Sequence, residues 1–166
     1  MRDQPGLAKL IKGRGLPAED TPASLPRPIG RDDVGLLSGI PLFQGLSKRH
    51  LDRIASVAST KRYTAGNPLV RAGQPATAFF VILDGRVRVE IPGHPVEFRA
   101  GDFFGEMALI DGEPRSATVV ALSETYVMMI ARAKFLKVLE AEPKIALAIM
   151  TTLTRRMRAM TGAATL

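Results

Sequence analysis

Two residue pairs hold the groups in this 166-residue chain that could do chemistry together: Gly105-Glu106 and Arg115-Ser116. Between them runs Met107-Ala108-Leu109-Ile110-Asp111-Gly112-Glu113-Pro114, which reads as one short helical turn and then a tight turn. Phe103-Phe104 before it reads as a strand end, and Thr118 after it as a strand start. Backbone N–H groups at a helix start lack partners and carry partial positive charge, so they suit a phosphate. Arg115 adds a planar fork of donors that grips phosphate oxygens in pairs. Glu106 is wrong for a phosphate, because like charges repel, and right for accepting hydrogen bonds from a sugar hydroxyl beside one. The pattern describes one pocket for an anion, a sugar and an apolar group.

Strands must position that segment. From Lys61 to Ala131 the hydrophobic period is two, and turn signals recur at Gly66-Asn67-Pro68, Gly73-Gln74-Pro75, Asp84-Gly85, Pro92-Gly93-His94-Pro95, Gly101-Asp102 and Asp111-Gly112. Asp84-Gly85, set between Phe80-Val81-Ile82-Leu83 and Arg86-Val87-Arg88-Val89-Glu90-Ile91, predicts a β-hairpin. Val87, Val89 and Ile91 share one face, and Val96, Phe98 and Ala100 are expected to continue it on the next strand. Thr118-Val119-Val120-Ala121 and Tyr126-Val127-Met128-Met129-Ile130 supply the last two strands. Many short antiparallel strands with regular turns argue for a jelly-roll-like barrel.

Helices flank the strands. Ser47 is a credible N-cap, Leu46 and Leu51 can form a hydrophobic staple around it, and Leu51, Ile54, Ala55 and Ala58 keep a helical stripe. After the strands, Phe135, Leu136 and Leu139 make a short stripe. Pro143 suits the first turn of a new helix, and Ile145, Ile149, Leu153, Met157 and Met160 recur on one face until Gly162. Residues 1–34 are rich in Pro and Gly with little apolar periodicity, and are expected to be a disordered tail. Only Leu7-Ala8-Lys9-Leu10-Ile11-Lys12 in that tail has the pattern of a short amphipathic turn. The folded domain is expected over 35–166.

Composition narrows the function. An apolar content of 46% supports one real core. No apolar run approaches the roughly 18 residues of a membrane helix. The start, Met1-Arg2-Asp3-Gln4-Pro5-Gly6, lacks the apolar segment of a secretory signal. A cytoplasmic protein without membrane insertion is expected. With no cysteine, disulfides, thiolate metal sites and Cys nucleophiles are excluded. His50, expected to be solvated, and His94 are too few and too far apart in sequence to suggest a metal site. The net charge of +7 raises nucleic acid as a partner, yet Lys and Arg are scattered, the one local excess is Arg155-Arg156 and Arg158, and there is no Trp. No basic stripe carries interleaved aromatics for base stacking, so nucleic acid is not the expected partner. No carboxylate pair, nucleophile–base pair or metal set emerges, and an enzyme is not expected. Two other classes stay open. One is a DNA-associated transcription regulator, as a fragment or through the Arg155–Arg158 cluster. The other is a cupin-like metal enzyme, which would need inward His or carboxylates where Val, Phe and Ile stand.

The run Phe104-Gly105-Glu106-Met107-Ala108-Leu109-Ile110, followed by Pro114-Arg115-Ser116-Ala117-Thr118, resembles the phosphate-binding cassette of the cyclic nucleotide-binding domain family. Ile40-Pro41-Leu42-Phe43 before a capped helix is similar to the family's opening, and Gly66, Gly73, Gly85, Gly101 and Gly105 stand where its turns need them. The chain departs from the family after Gly73, where Gln74 and Thr77 replace the usual acid. The resemblance implies a mainly β fold with flanking helices (α+β): an eight-stranded jelly-roll-like β-roll with an N-terminal helix and two C-terminal helices. It implies that a cyclic nucleotide binds as ligand, with no other cofactor. Arg115 would pair with the cyclic phosphate, Gly105, Met107, Ala108 and Ser116 would donate to it, and Glu106 would take the ribose 2′-hydroxyl. Val89, Val96 and Phe98 would line the base, and the last helix would cover it with Arg156, Met160 and Thr161. Ser116 after the arginine favours cyclic AMP, with cyclic GMP left open. The chain stops at Leu166, soon after that helix, so the expected form is a stand-alone receptor that signals to a protein effector the sequence does not identify.

Overall fold

The run Ala78-Phe79-Phe80-Val81-Ile82 has no polar face, so a strand made from it must be covered on both sides. The computed structural model, which describes residues 27–162, does this by wrapping a β-roll on one side and a helical layer on the other. The expectations for residues 1–26, including the turn at Leu7–Lys12, lie outside the described residues.

In chain order the elements are α1 (Arg31–Leu37), a 3-10 turn (Pro41–Phe43), α2 (Lys48–Ala55), β1 (Ser59–Tyr63), β2 (Pro68–Val70), β3 (Ala78–Asp84), β4 (Arg86–Glu90), β5 (Val96–Arg99), β6 (Phe103–Phe104), α3 (Ala108–Asp111), β7 (Thr118–Ala121), β8 (Thr125–Ala131), α4 (Arg132–Ala141) and α5 (Pro143–Thr161). The eight strands form two antiparallel four-stranded sheets, ordered β1-β8-β3-β6 and β2-β7-β4-β5. This is the expected mainly β roll with flanking helices. Among the described residues no helix is long and apolar enough to cross a membrane.

Two apolar clusters follow from the two faces of β3. Phe80 and Ile82 point into the roll, where they join Leu69, Val87, Val89, Val119 and Val127. Phe79 and Val81 point outward and meet the helices through Phe43, Leu51, Ile54, Phe135, Ile145 and Ile149. Phe43 is the hub of that outer layer. Its ring lies 6.0 Å from Phe79, edge-on at 87°, and 6.0 Å from Phe135. Such aromatic pairs add about 0.5–1.5 kcal/mol beyond the area they bury.

The helix signals are met locally. Ser47 Oγ accepts from the His50 N–H at 3.2 Å, Pro143 opens α5, and Gly162 ends it in the left-handed region. Four expectations need correction. The hairpin at Asp84-Gly85 does not form, because Asp84 stays in β3, opposite Tyr126, and Gly85 alone separates β3 from β4. A tight hairpin needs a two-residue loop. Gly85, at φ +91°, instead carries the chain across a corner from one sheet to the other, and a Cβ there would run into the Glu124 carbonyl and Thr125. The hairpin of this region is β4–β5, which pairs Val87 with Phe98 and Val89 with Val96. Ala100 sits exposed in the turn after β5, and His50 is half-buried. The stripe on α5 divides: Ile145 and Ile149 are buried, whereas Met157 and Met160 are 66% and 85% exposed.

An ordered helix begins at Arg31, inside the stretch expected to be tail. Its anchor is Asp33, which is 7% exposed, accepts from the Arg27 guanidinium at 2.7 and 2.8 Å, and accepts from the Gly30 N–H at 2.7 Å. Thr60 on β1 then donates its hydroxyl to the Arg27 carbonyl at 2.6 Å. The hydrogen bond from Arg27 holds the Asp33 carboxyl below its ordinary pKa against the opposing effect of burial, with help from the Gly30 N–H. A folded-state pKa below the unfolded one means that the stabilisation is present above the ordinary carboxylate range and is lost as pH falls through the folded value. Asp33→Asn should therefore cost about 1 kcal/mol at pH 7, since Arg27 is part-exposed. Urea titrations of parent and variant should converge as the pH falls below the ordinary carboxylate range. A gap that persisted unchanged into acid would place the effect in packing instead.

Candidate functional site

Gly105 ends β6 with φ +83°, a conformation that L side chains rarely adopt. The space beside it is taken: a Cβ would run into the Arg115 guanidinium and would lie 3.3 Å from the Ala78 carbonyl oxygen. The chain then turns through Glu106 and Met107 into α3. Leu109 N–H and Ile110 N–H close this turn on the Glu106 and Met107 carbonyls at 3.2 and 3.0 Å. The N–H groups of Glu106, Met107 and Ala108 have no intramolecular acceptor among the described residues. At its other end α3 stops at Gly112, whose φ of +67° suits a C-terminal glycine.

Arg115 is positioned from three directions. Its backbone exchanges hydrogen bonds with the preceding turn: Gly73 N–H donates to the Arg115 carbonyl at 2.8 Å, and Arg115 N–H donates to the Gln74 carbonyl at 2.9 Å. Its Nη2 donates to the Ala78 carbonyl at the start of β3. Its guanidinium lies over the Phe80 ring, 5.5 Å from the centroid, and Phe80 in turn stacks on Phe104 at 4.9 Å and 15°. The group is half-buried, and among the described residues no carboxylate lies within ion-pair distance of it. Burial lowers its pKa from the ordinary arginine value, with Tyr63 opposing, yet an arginine stays charged at any relevant pH. A half-buried positive charge without a counter-ion, close to unpaired N–H donors, is an anion site in its electrostatics.

These groups face a cavity of about 360 Å³ between the cassette and the inner face of the second sheet, a size in the range of small-molecule sites. Of the residues singled out in the sequence, Gly105, Glu106, Met107, Ala108, Arg115, Ser116 and Val89 line it together. Val96, Phe98, Arg156, Met160 and Thr161 do not. Val96 and Phe98 are on β5, the edge strand one place beyond β4, and are half-buried there. Arg156, Met160 and Thr161 lie exposed on the distal half of α5, where the Thr161 hydroxyl donates back to the Met157 carbonyl at 3.0 Å. The buried half of α5 is pinned to the chain after the 3-10 turn, Thr152 Oγ1 donating to the Gln44 carbonyl at 2.6 Å.

Several wall and support groups were missed in the sequence. Val119 alternates inward on β7 and was readable from the period of two. Asp111 and Glu113 also line the cavity and were read as turn residues only. The Ala78 carbonyl and the Phe80 face carried no local signal, because they reach Arg115 across 37 and 35 residues of sequence.

The model of the cyclic nucleotide-binding domain matches residues 60–142, half of the chain. A cyclic nucleotide-gated potassium channel of Rhizobium etli is 40% identical over 121 residues, covering 73% of this chain and 34% of the channel. A cAMP-dependent protein kinase regulatory subunit of Aspergillus fumigatus is 33% identical over 106 residues, 62% of this chain and 26% of that protein. The chain therefore spans about a third or less of the length of these relatives. Among solved structures, the N-terminal domain of a transcriptional regulator from Streptomyces coelicolor A3(2) superposes with a TM-score of 0.69 at 25% identity, covering 79% of this chain and 96% of that one.

Gly105→Ala tests the close approach directly. The backbone penalty alone is about 1–3 kcal/mol, and the new methyl group must displace the Arg115 guanidinium. The expected outcome is a folded protein with a lower urea midpoint and a cavity that binds its anion at least about tenfold more weakly. Unchanged stability together with unchanged anion binding would show that the arginine does not need this gap.

Proposed function

Because the chain belongs to the cyclic nucleotide-binding domain family, we propose that it is a cyclic nucleotide receptor, with cyclic AMP favoured over cyclic GMP. The observation that carries the proposal is the half-buried Arg115 guanidinium on the cavity wall, without a carboxylate partner among the described residues. In this reading Arg115 pairs with the cyclic phosphate. The N–H groups of Met107 and Ala108 and the Ser116 hydroxyl donate to the same group, and Gly105 leaves room for the arginine. Glu106 accepts from the ribose 2′-hydroxyl, and the base lies toward Val89 and Val119. The serine at 116 supports cyclic AMP. The family match favours a regulatory role over a catalytic one.

Signalling would run from the cassette into the helical layer. Leu109 on α3 is buried in the outer cluster beside Phe135 and Val138 of α4. Arg132, the first residue of α4, donates to the Ile110 carbonyl of α3 at 3.0 Å. A ligand that draws α3 inward would therefore pull on α4 and on α5 behind it. The distal half of α5 could then bring Arg156, Met160 and Thr161 over the base, and change the face that a protein effector reads. Such a ligand shifts the equilibrium only by its difference in affinity for the two arrangements.

Calorimetric titration with cyclic AMP and cyclic GMP, on the parent protein and on Arg115→Ala, tests the reading. Charge-assisted hydrogen bonds contribute about 1.5–3 kcal/mol each, so the variant should bind about ten- to a hundredfold more weakly. Glu106→Gln should weaken binding by a smaller factor, since the amide keeps one acceptor oxygen. The absence of heat with either nucleotide at several temperatures would sink the proposal.

A further inference from the structure

The charged residues on the cavity wall are unequal in number. Glu106, Asp111 and Glu113 are the acids of its lining and Arg115 is its one cation among the described residues, with the Arg132 guanidinium packed against Gly112 between the last two acids. None of the three carboxylates is in an ion pair among the described residues. Glu106 has its assignment to the ribose. Asp111 closes α3, and Glu113 stands two residues before Arg115, so both acids lie on the turn that leads to the phosphate-binding group. They are exposed at the mouth, and Asp111 Oδ1 accepts from the Glu113 backbone N–H at 3.0 Å, which ties the Asp111 side chain to the same short turn.

A wall with one cation and three carboxylates suits a ligand of limited charge. A cyclic phosphodiester carries a single negative charge, which one guanidinium can neutralise. A terminal phosphate monoester carries about −1.5 to −2 at pH 7, and each further phosphate adds more. The surplus charge would meet Asp111 and Glu113, and like charges repel even where solvent screens them, by a modest amount. Resting on the receptor reading above, we infer that Asp111 and Glu113 are specificity-determining residues that exclude nucleotides with terminal phosphates by charge, leaving the cavity to the singly charged cyclic form. The selection is electrostatic at the mouth and independent of how the base is recognised.

The test compares cyclic AMP with 5′-AMP in calorimetric titrations of the parent and of the Asp111→Asn/Glu113→Gln double variant. Asn at 111 keeps the oxygen that accepts from Glu113, and both positions are exposed, so the turn should survive. The parent should prefer the cyclic nucleotide. In the variant 5′-AMP should tighten by about three- to tenfold and cyclic AMP by a smaller factor, so that the preference narrows. Salt supplies a reading that a shape effect would not move. The parent's preference should narrow between low salt and about 1 M, where the screening length is about 3 Å, and the variant's should not. If cyclic AMP binds both proteins and the preference is the same in each, the inference is overturned while the receptor reading stands. If neither nucleotide binds the parent, the receptor reading fails and takes this inference with it.

Discussion

A guanidinium held half out of water with no ion-pair partner among the described residues is expensive, and the placement of Arg115 is the constraint from which much of this structure follows. The charge is tolerated because its surroundings solvate it in part. The Ala78 carbonyl takes one donor, and the Phe80 ring offers its negative face, backed in turn by Phe104. Room for the side chain exists only because residue 105 has none. The backbone exchange with Gly73 and Gln74 then sets where the arginine begins. Three separate stretches of chain therefore agree on one position. What they leave unsatisfied is a positive potential that an anion can complete, and stability for that arrangement must come from elsewhere in the fold.

It comes from β3. This strand is apolar on both faces, and each face is the floor of a different core. Inside the roll it packs against β4, β7 and β8, and Val89 on β4 and Val119 on β7 line the apolar side of the cavity. Outside, Phe79 meets Phe43 and Phe103, so the helices rest on the same strand that supplies the Ala78 carbonyl to Arg115. A close-packed interior transmits displacement rather than absorbing it. The cassette helix α3 is tied to this layer by Leu109 and by Arg132.

The last helix illustrates how far periodicity reaches. Ile145, Ile149, Leu153, Met157 and Met160 do share a face, but only the first part of that face has a neighbour to cover it. A helical repeat reports which side chains point together. It says nothing about where the surface opposite them ends. The same holds for β5, where alternation put Val96 and Phe98 on an inner face yet could not tell that an edge strand would hold them away from the cavity wall.

Much of the site and most of the element boundaries were legible in the sequence, because both depend on neighbours a few residues away. The cap at Ser47, the proline that opens α5, the glycine that ends it and the whole segment from Phe103 to Thr118 are local patterns, and local hydrogen bonding and sterics decide them. The fold class follows from the period of two between Lys61 and Ala131. Only the tertiary structure decided which strands pair, and hence that Asp84-Gly85 is a corner between sheets and not a hairpin. It alone brought Ala78 and Phe80 under Arg115. These are contacts between distant parts of the chain, and their free energy depends on the complete packing of both cores, which no short window of sequence contains.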